Sequence, residues 1–186
     1  MGTDLFSWCM EGKKRGAMIK RSKIFQGRLL ELSLLPHRFP SGYTETLEVI
    51  NHPGAALVVA YMGKDRIVFL RQYRPVISRF IWELPAGTLS KEEPPLQCAK
   101  RELEEETGYR ARFWKKLGVI YPAPGYTNER IHIYKASFLQ KGLSKNEKDE
   151  LIRVRLFTPK KIRYLFEKGR IVDAKTICAL TLAGVI

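Results

Sequence analysis

The sequence predicts a mixed α/β sandwich. Strands fill its first half, one amphipathic helix follows, and two short helices close the chain. Three observations lead there. Short apolar runs punctuated by Gly, Pro, Asn and Asp recur between residues 24 and 84. A helical period then appears, with Leu96, Ala99 and Leu103 on one stripe. Beyond residue 157 two segments open with helix-capping residues, Thr158-Pro159 and Asp173.

Taken in order, 24–36 and 43–50 read as two strands joined by a Pro/Ser/Gly turn over 37–42. The run AALVVAYM (55–62), the turn Gly63-Lys64-Asp65 and RIVFLRQY (66–73) predict a hairpin. FIWEL (80–84) is a short strand feeding a loop. In the helix that follows, Pro94 and Pro95 suit the first turn, where a missing N–H costs little, and Gly108 suits a left-handed residue past the end. Residues 110–120 and 131–138 read as strands around the loop YPAPGYTNE. A polar loop, 141–150, precedes a strand over 151–157. The next helix buries Ile162, Leu165 and Phe166 and stops at Gly169, and the last one spans 174–183. Residues 1–23 form a basic segment read as flexible, 24–50 a β-hairpin, and 51–186 the main domain.

A chain of 186 residues buries one sizeable core. Its three cysteines, Cys9, Cys98 and Cys178, are too scattered for a disulfide framework or a zinc site, which points to a reducing cytoplasm. No apolar run approaches the ~20 residues that span a bilayer. The opening residues lack the basic-then-apolar order of a signal peptide, and Met18 offers a second candidate start. The formal charge is +14, much of it in 13–28 and in the C-terminal helices. Such charge steers polyanionic substrates and leaves nucleic acid open as a partner, although no RNA-binding motif accompanies it. His37, His52 and His132 lack metal-ligand spacing and read as surface or hydrogen-bonded residues.

The most specific segment is Gly87–Tyr109, GTLSKEEPPLQCAKRELEEETGY. At about 100° per residue, Glu102, Glu105 and Glu106 share one helix face, a quarter turn from the apolar stripe. The stripe anchors the helix and the carboxylates project into a cleft. Glu104 lies nearly opposite them and reads as solvated. An acidic run on a helix is by default a solvated face. Three carboxylates this close repel one another unless cations sit among them, and oxygen-only donors suit Mg2+ or Mn2+.

This segment resembles the Nudix box, a glycine, a glutamate and then Arg-Glu-apolar-x-Glu-Glu-x-Gly-apolar. Gly87, Glu93, Arg101, Glu102, Leu103, Glu105, Glu106, Gly108 and Tyr109 fill its defined positions. The resemblance implies the Nudix fold, a mixed β-sheet between helices, here with an N-terminal antiparallel strand extension. It implies structural roles for Gly87, Glu93, Arg101 and Gly108, with Glu93 and Arg101 paired to fix the loop–helix–loop. It implies divalent cations, Mg2+ with Mn2+ as substitute, held by Glu102, Glu105, Glu106 and the carbonyl of Ala86.

HPGAALVVAY (52–61), RQYR (71–74), WELPAG (82–87) and PAPGYTNE (122–129) are similar to the ADP-ribose pyrophosphatase branch. In that branch a proline stands well past the box, and Pro124 is 16 residues after Gly108. Tyr126 is a competing signal, since dinucleoside-polyphosphate hydrolases place a tyrosine near there. The branch implies a homodimer whose strands, here within 24–50, complete the partner's nucleotide pocket. Arg71, Tyr73, Arg74, Trp82, Glu83, Pro124 and Glu129 are then the candidate substrate contacts. The reaction implied is hydrolysis of a diphosphate linkage in a nucleoside diphosphate sugar, ADP-ribose first, giving AMP and ribose 5-phosphate. Its general base comes from the acidic loop after the box, with Glu150 and Glu147 the candidates, or from Glu105. Alternatives are other nucleoside diphosphate sugars such as GDP-mannose, dinucleoside polyphosphates, RNA 5′ ends, or a nucleotide-sugar-sensing regulator without catalysis.

Overall fold

Alternation along two central strands builds the molecule. The computed structural model describes residues 21–142 and 152–186. In β4 (Ala55–Met62) the side chains of Leu57 and Val59 face one way, and those of Ala56, Val58 and Ala60 the other. In β5 (Arg66–Arg74) Ile67 and Phe69 join the first set and Val68 the second. Both faces are therefore apolar and each is covered by helix. The first packs on Ile162 and Leu165 of α2 (Pro159–Glu167) and Ala179 and Leu180 of α3 (Ala174–Leu182). The second packs on Cys98, Ala99 and Leu103 of α1 (Pro95–Thr107). This is the expected mixed sandwich.

The sheet runs β10 (Ile152–Phe157), β5, β4, β9 (Ile131–Lys141), β8 (Tyr109–Ile120), with β6 (Arg79–Glu83) on β5 and β7 (Ala86–Thr88) on β4. The pair β4 and β9 is parallel, and β8 and β10 form antiparallel edges. Strand β7 lies inside the segment read as a loop. It places Ala86, Gly87 and Thr88 opposite Leu57, Ala56 and Ala55. The predicted caps are present: Thr158 accepts from the Lys161 N–H, Asp173 from the Thr176 N–H, and Gly108 ends α1 at φ 71. Among the described residues no helix is long and apolar enough to cross a membrane.

Four readings are corrected. Residues 24–36 form two strands, β1 (Ser22–Gln26) and β2 (Glu31–Arg38), because the Gly27 N–H turns back to the Leu30 carbonyl at 2.8 Å. With β3 (Thr44–Asn51) they make a separate three-stranded sheet, and the turn over 37–42 begins only at Phe39. Pro36 sits within β2, beyond the last β1 pairing at Leu34, where β2 has a neighbour on one side only. Phe166 is 40% exposed and belongs to no core. Glu104 is not merely solvated: it pairs with the Arg110 Nε at 2.7 Å.

The small sheet is tied to the main one at its end. The Ile50 N–H donates to the Tyr126 carbonyl at 2.8 Å, the Asn128 N–H to the Ile50 carbonyl at 3.3 Å, and the His52 N–H to Asn128 Oδ1 at 2.9 Å. These bonds set His52 and Glu129 beside the start of β4. On the opposite side the first turn of α3 buttresses the loop after β6, where the buried Thr176 hydroxyl accepts from the Leu84 N–H at 3.0 Å.

Candidate active site

One cleft, of about 360 Å³, gathers the box carboxylates. Glu102, Glu105 and Glu106 line it from α1, with Ala86, Gly87 and Thr88 of β7 alongside. Glu106 is buried, and its Oε2 accepts from the Ala86 N–H at 2.9 Å. Glu102 lies flat against Gly87. A Cβ added there would stand 1.9 Å from Glu102 Oε1, so the loop needs glycine to let this carboxylate in.

Arg101 organises the rest. Its Nε and Nη2 grip Glu93 at 3.0 and 2.9 Å, and its Nη1 reaches Glu102 at 2.5 Å and Glu105 at 3.0 Å. Glu93 also accepts from the Ser90 N–H at 3.0 Å. The expected Glu93–Arg101 pair is thus a bidentate fork closing the loop onto the helix. The Arg101 hydrogen bond, opposed by burial, holds the Glu93 carboxyl down to about 2. The same pair raises the Arg101 pKa further. Burial, with Glu102 and Glu93 nearby, pushes the Cys98 thiol up to about 12, so it stays protonated and serves as packing.

The cleft also carries cations from outside the box. Gln72 and Arg74 of β5 and Lys175 of α3 line it. Behind them Glu83 is buried, held bidentately by Arg74 at 2.8 and 3.0 Å and by Lys175, which also donates to Asp173 at 2.8 Å. Carboxylates and cations lining one cleft suit a phosphate chain that brings cations with it.

Of the sequence candidates, Glu102, Glu105, Glu106, Ala86, Arg74 and Glu129 line this cleft, together with Gly87 and Arg101. Glu83 lies behind Arg74 and Lys175. Arg71, Tyr73, Trp82 and Pro124 do not line it. Arg71 and Tyr73 pack against Phe80, at 5.0 and 5.2 Å, and Trp82 packs edge-on to Phe157 at 4.9 Å. Glu147 and Glu150, with the rest of the acidic loop, lie outside the described residues. Sequence reasoning missed Gln72, Lys175 and His52. Alternation in RQYR carried a signal for the first, since Gln72 shares a strand face with Arg74. Nothing local marked Lys175, which reaches the cleft from 92 residues beyond Glu83.

Among the described residues no three side chains converge as a ready metal cluster. Arg101 holds Glu102 and Glu105, and Glu106 is turned to the Ala86 N–H. The donor set still fits a hard cation, being oxygen only, and the glycine cradle brings Glu102 against the loop.

Residues 51–180 match the NUDIX domain family. A methanol dehydrogenase activator of Bacillus methanolicus is 40% identical, covering 87% of this chain and 89% of that one. An ADP-ribose pyrophosphatase of Bacillus subtilis (strain 168) is 36% identical with the same coverage. A solved ADP compounds hydrolase superposes with a TM-score of 0.77 at 20% identity, over 89% of this chain and 90% of that one, and shares the fold.

Replacing Glu93 by Gln removes a charge-assisted fork and lowers stability by about 1–2 kcal/mol. Because the folded pKa, about 2, lies below the ordinary glutamate value of 4.5, this contribution is complete above pH 4.5 and fades as pH falls toward 2. Acid denaturation of Glu93→Gln is therefore less steep over that window. Equal slopes for both proteins, from urea unfolding at a series of pH values, would refute the structural role of Glu93.

Proposed function

The chain belongs to the Nudix family, and from that premise we propose that it hydrolyses the diphosphate bond of nucleoside diphosphate sugars, with ADP-ribose the first substrate, to AMP and ribose 5-phosphate. One observation carries the reading: the three box carboxylates line a single cleft together with two cations from other elements, Arg74 and Lys175. The name of the Bacillus subtilis relative supports ADP-ribose as the substrate to try first.

Glu102, Glu106 and the Ala86 carbonyl, with Glu105, would hold Mg2+, or Mn2+ in its place. Bound there, divalent cations supply charge neutralisation of the phosphates and a lowered pKa for the attacking water. The rest of the chemistry falls to the chain. Arg74 and Lys175, braced by Glu83, orient the phosphates. Gln72 and Glu129 border the same space. A carboxylate takes the proton of the attacking water, Glu150 or Glu147 of the acidic loop or Glu105 of the box. Arg71, Tyr73, Trp82 and Pro124 stand as substrate contacts only in an assembly that brings the nucleoside to them. The scattered cysteines of the sequence favour a reducing cytoplasm as the place where this happens.

We infer that such an assembly is a homodimer formed through the small sheet. Ile24, Phe25, Leu29, Leu30 and Tyr43 are exposed apolar side chains on or beside it, a concentration that is costly in a lone chain. Sedimentation of the full chain at micromolar concentration gives a dimer on this reading, and a monomer there would refute it.

Product analysis on ADP-ribose, GDP-mannose, a dinucleoside polyphosphate and triphosphorylated RNA tests the substrate class, and AMP plus ribose 5-phosphate from the first is the expected result. Hydrolysis of the RNA alone would overturn the assignment. In the same assay Glu106→Gln keeps the fold and loses most turnover. Among Glu150→Gln, Glu147→Gln and Glu105→Gln, the base is the one whose kcat falls by roughly 10^2 to 10^4 with little change in KM. Glu150 is expected to be that residue.

A further inference from the structure

A second cleft, of about 450 Å³, lies behind α1. Gln97, Lys100 and Glu104 line it from the helix face nearly opposite Glu102, Glu105 and Glu106. Arg110 and Trp114 of β8 form its other side. Its charged groups are Lys100, Arg101 and Arg110 against Glu93 and Glu104, an excess of one positive charge. Both carboxylates are already held by arginine, Glu93 by Arg101 at 2.9 Å and Glu104 by Arg110 at 2.7 Å. Lys100 adds a further donor. Trp114 gives its indole N–H to the Ala111 carbonyl at 3.1 Å and stands edge-on to Tyr134 at 6.5 Å. Those two contacts fix the ring. A held indole beside three cations recognises a flat heterocycle joined to a phosphate, through stacking and charge-assisted hydrogen bonds. The volume is in the range for small-molecule sites.

We propose that this rear cleft is a second ligand site, for a free nucleoside monophosphate, with the base against Trp114 and the phosphate taken by Lys100 and Arg110. Arg101 belongs to both clefts. A phosphate beside it draws the guanidinium from Glu102 and Glu105, and the two carboxylates then hold cations better. Filling the rear cleft therefore lowers the divalent-cation concentration that the front cleft needs. This coupling rests on the function proposed above; the binding does not.

Binding is read on the full chain in EDTA, with AMP as probe and the Trp114 indole N–H signal, assigned through Trp114→Phe, as reporter. The signal moves saturably. In Lys100→Ala/Arg110→Ala the affinity falls by about tenfold or more in a chain that stays folded, the loss of the exposed Glu104–Arg110 pair lowering the melting temperature only slightly. Adenosine and ribose 5-phosphate, each lacking half of the recognised group, bind at least about tenfold more weakly. An unmoved indole signal, or AMP affinity unchanged in the double variant, overturns the site. If the double variant does not fold, Lys100→Gln serves in its place. A second arm titrates Mn2+ with and without AMP. Mn2+ binds several-fold tighter with AMP in the wild-type chain and not in the double variant; equal affinities in the wild type overturn the coupling. The binding arm contains neither substrate nor metal, so its failure leaves the hydrolase reading standing, and absent hydrolysis leaves the binding result intact.

Discussion

The cleft depends on one guanidinium. Arg101 ties the loop to the helix through Glu93 and restrains Glu102 and Glu105 with its remaining nitrogen. Without it, carboxylates at adjacent and i+3 positions would repel one another and the loop would lose its anchor to α1. The bidentate geometry matters because a lysine, offering a point charge, would not hold two oxygens of Glu93 while reaching a second pair of acids. Gly87 is the steric partner of this arrangement. Its missing Cβ is the space that Glu102 fills.

A second constraint acts on the cations of the cleft. Glu83 is buried, yet Arg74 and Lys175 both reach it, so the carboxylate orients two cations without exposing its own charge. Asp173 both caps α3 and holds Lys175, while Thr176 binds the Leu84 N–H. The C-terminal helix thus belongs to the site although it packs on the opposite face of the sheet from α1.

Much of this was legible in the sequence. Continuous apolar runs around a Gly-Lys-Asp turn found β4 and β5, because both of their faces are buried, and a 3.6 period found α1, because one stripe of it is buried. Capping chemistry located α2 and α3 through Thr158 and Asp173, and the box spacing brought Glu102, Glu105 and Glu106 to one cleft. Local pattern failed where a single turn or a distant partner decided the outcome. The reversal at Gly27 splits an apolar run that otherwise reads as one strand. Glu104 looked solvated because its partner, Arg110, lies across the end of the helix. Phe166 fits the helical stripe, yet it lies at the edge of that stripe and stays exposed. Lys175 enters the cleft through chain crossing, and no spacing rule records that.

On the proposed function, Gly87 makes room for a carboxylate that helps to hold a divalent cation. Gly87→Ala tests this most directly, with Mn2+ titrated by electron paramagnetic resonance and folding followed by near-ultraviolet circular dichroism. The predicted result is a folded protein whose Mn2+ affinity is lower by about 10- to 100-fold, because the new methyl displaces Glu102. A folded Gly87→Ala protein that binds Mn2+ as the wild type does would contradict this role.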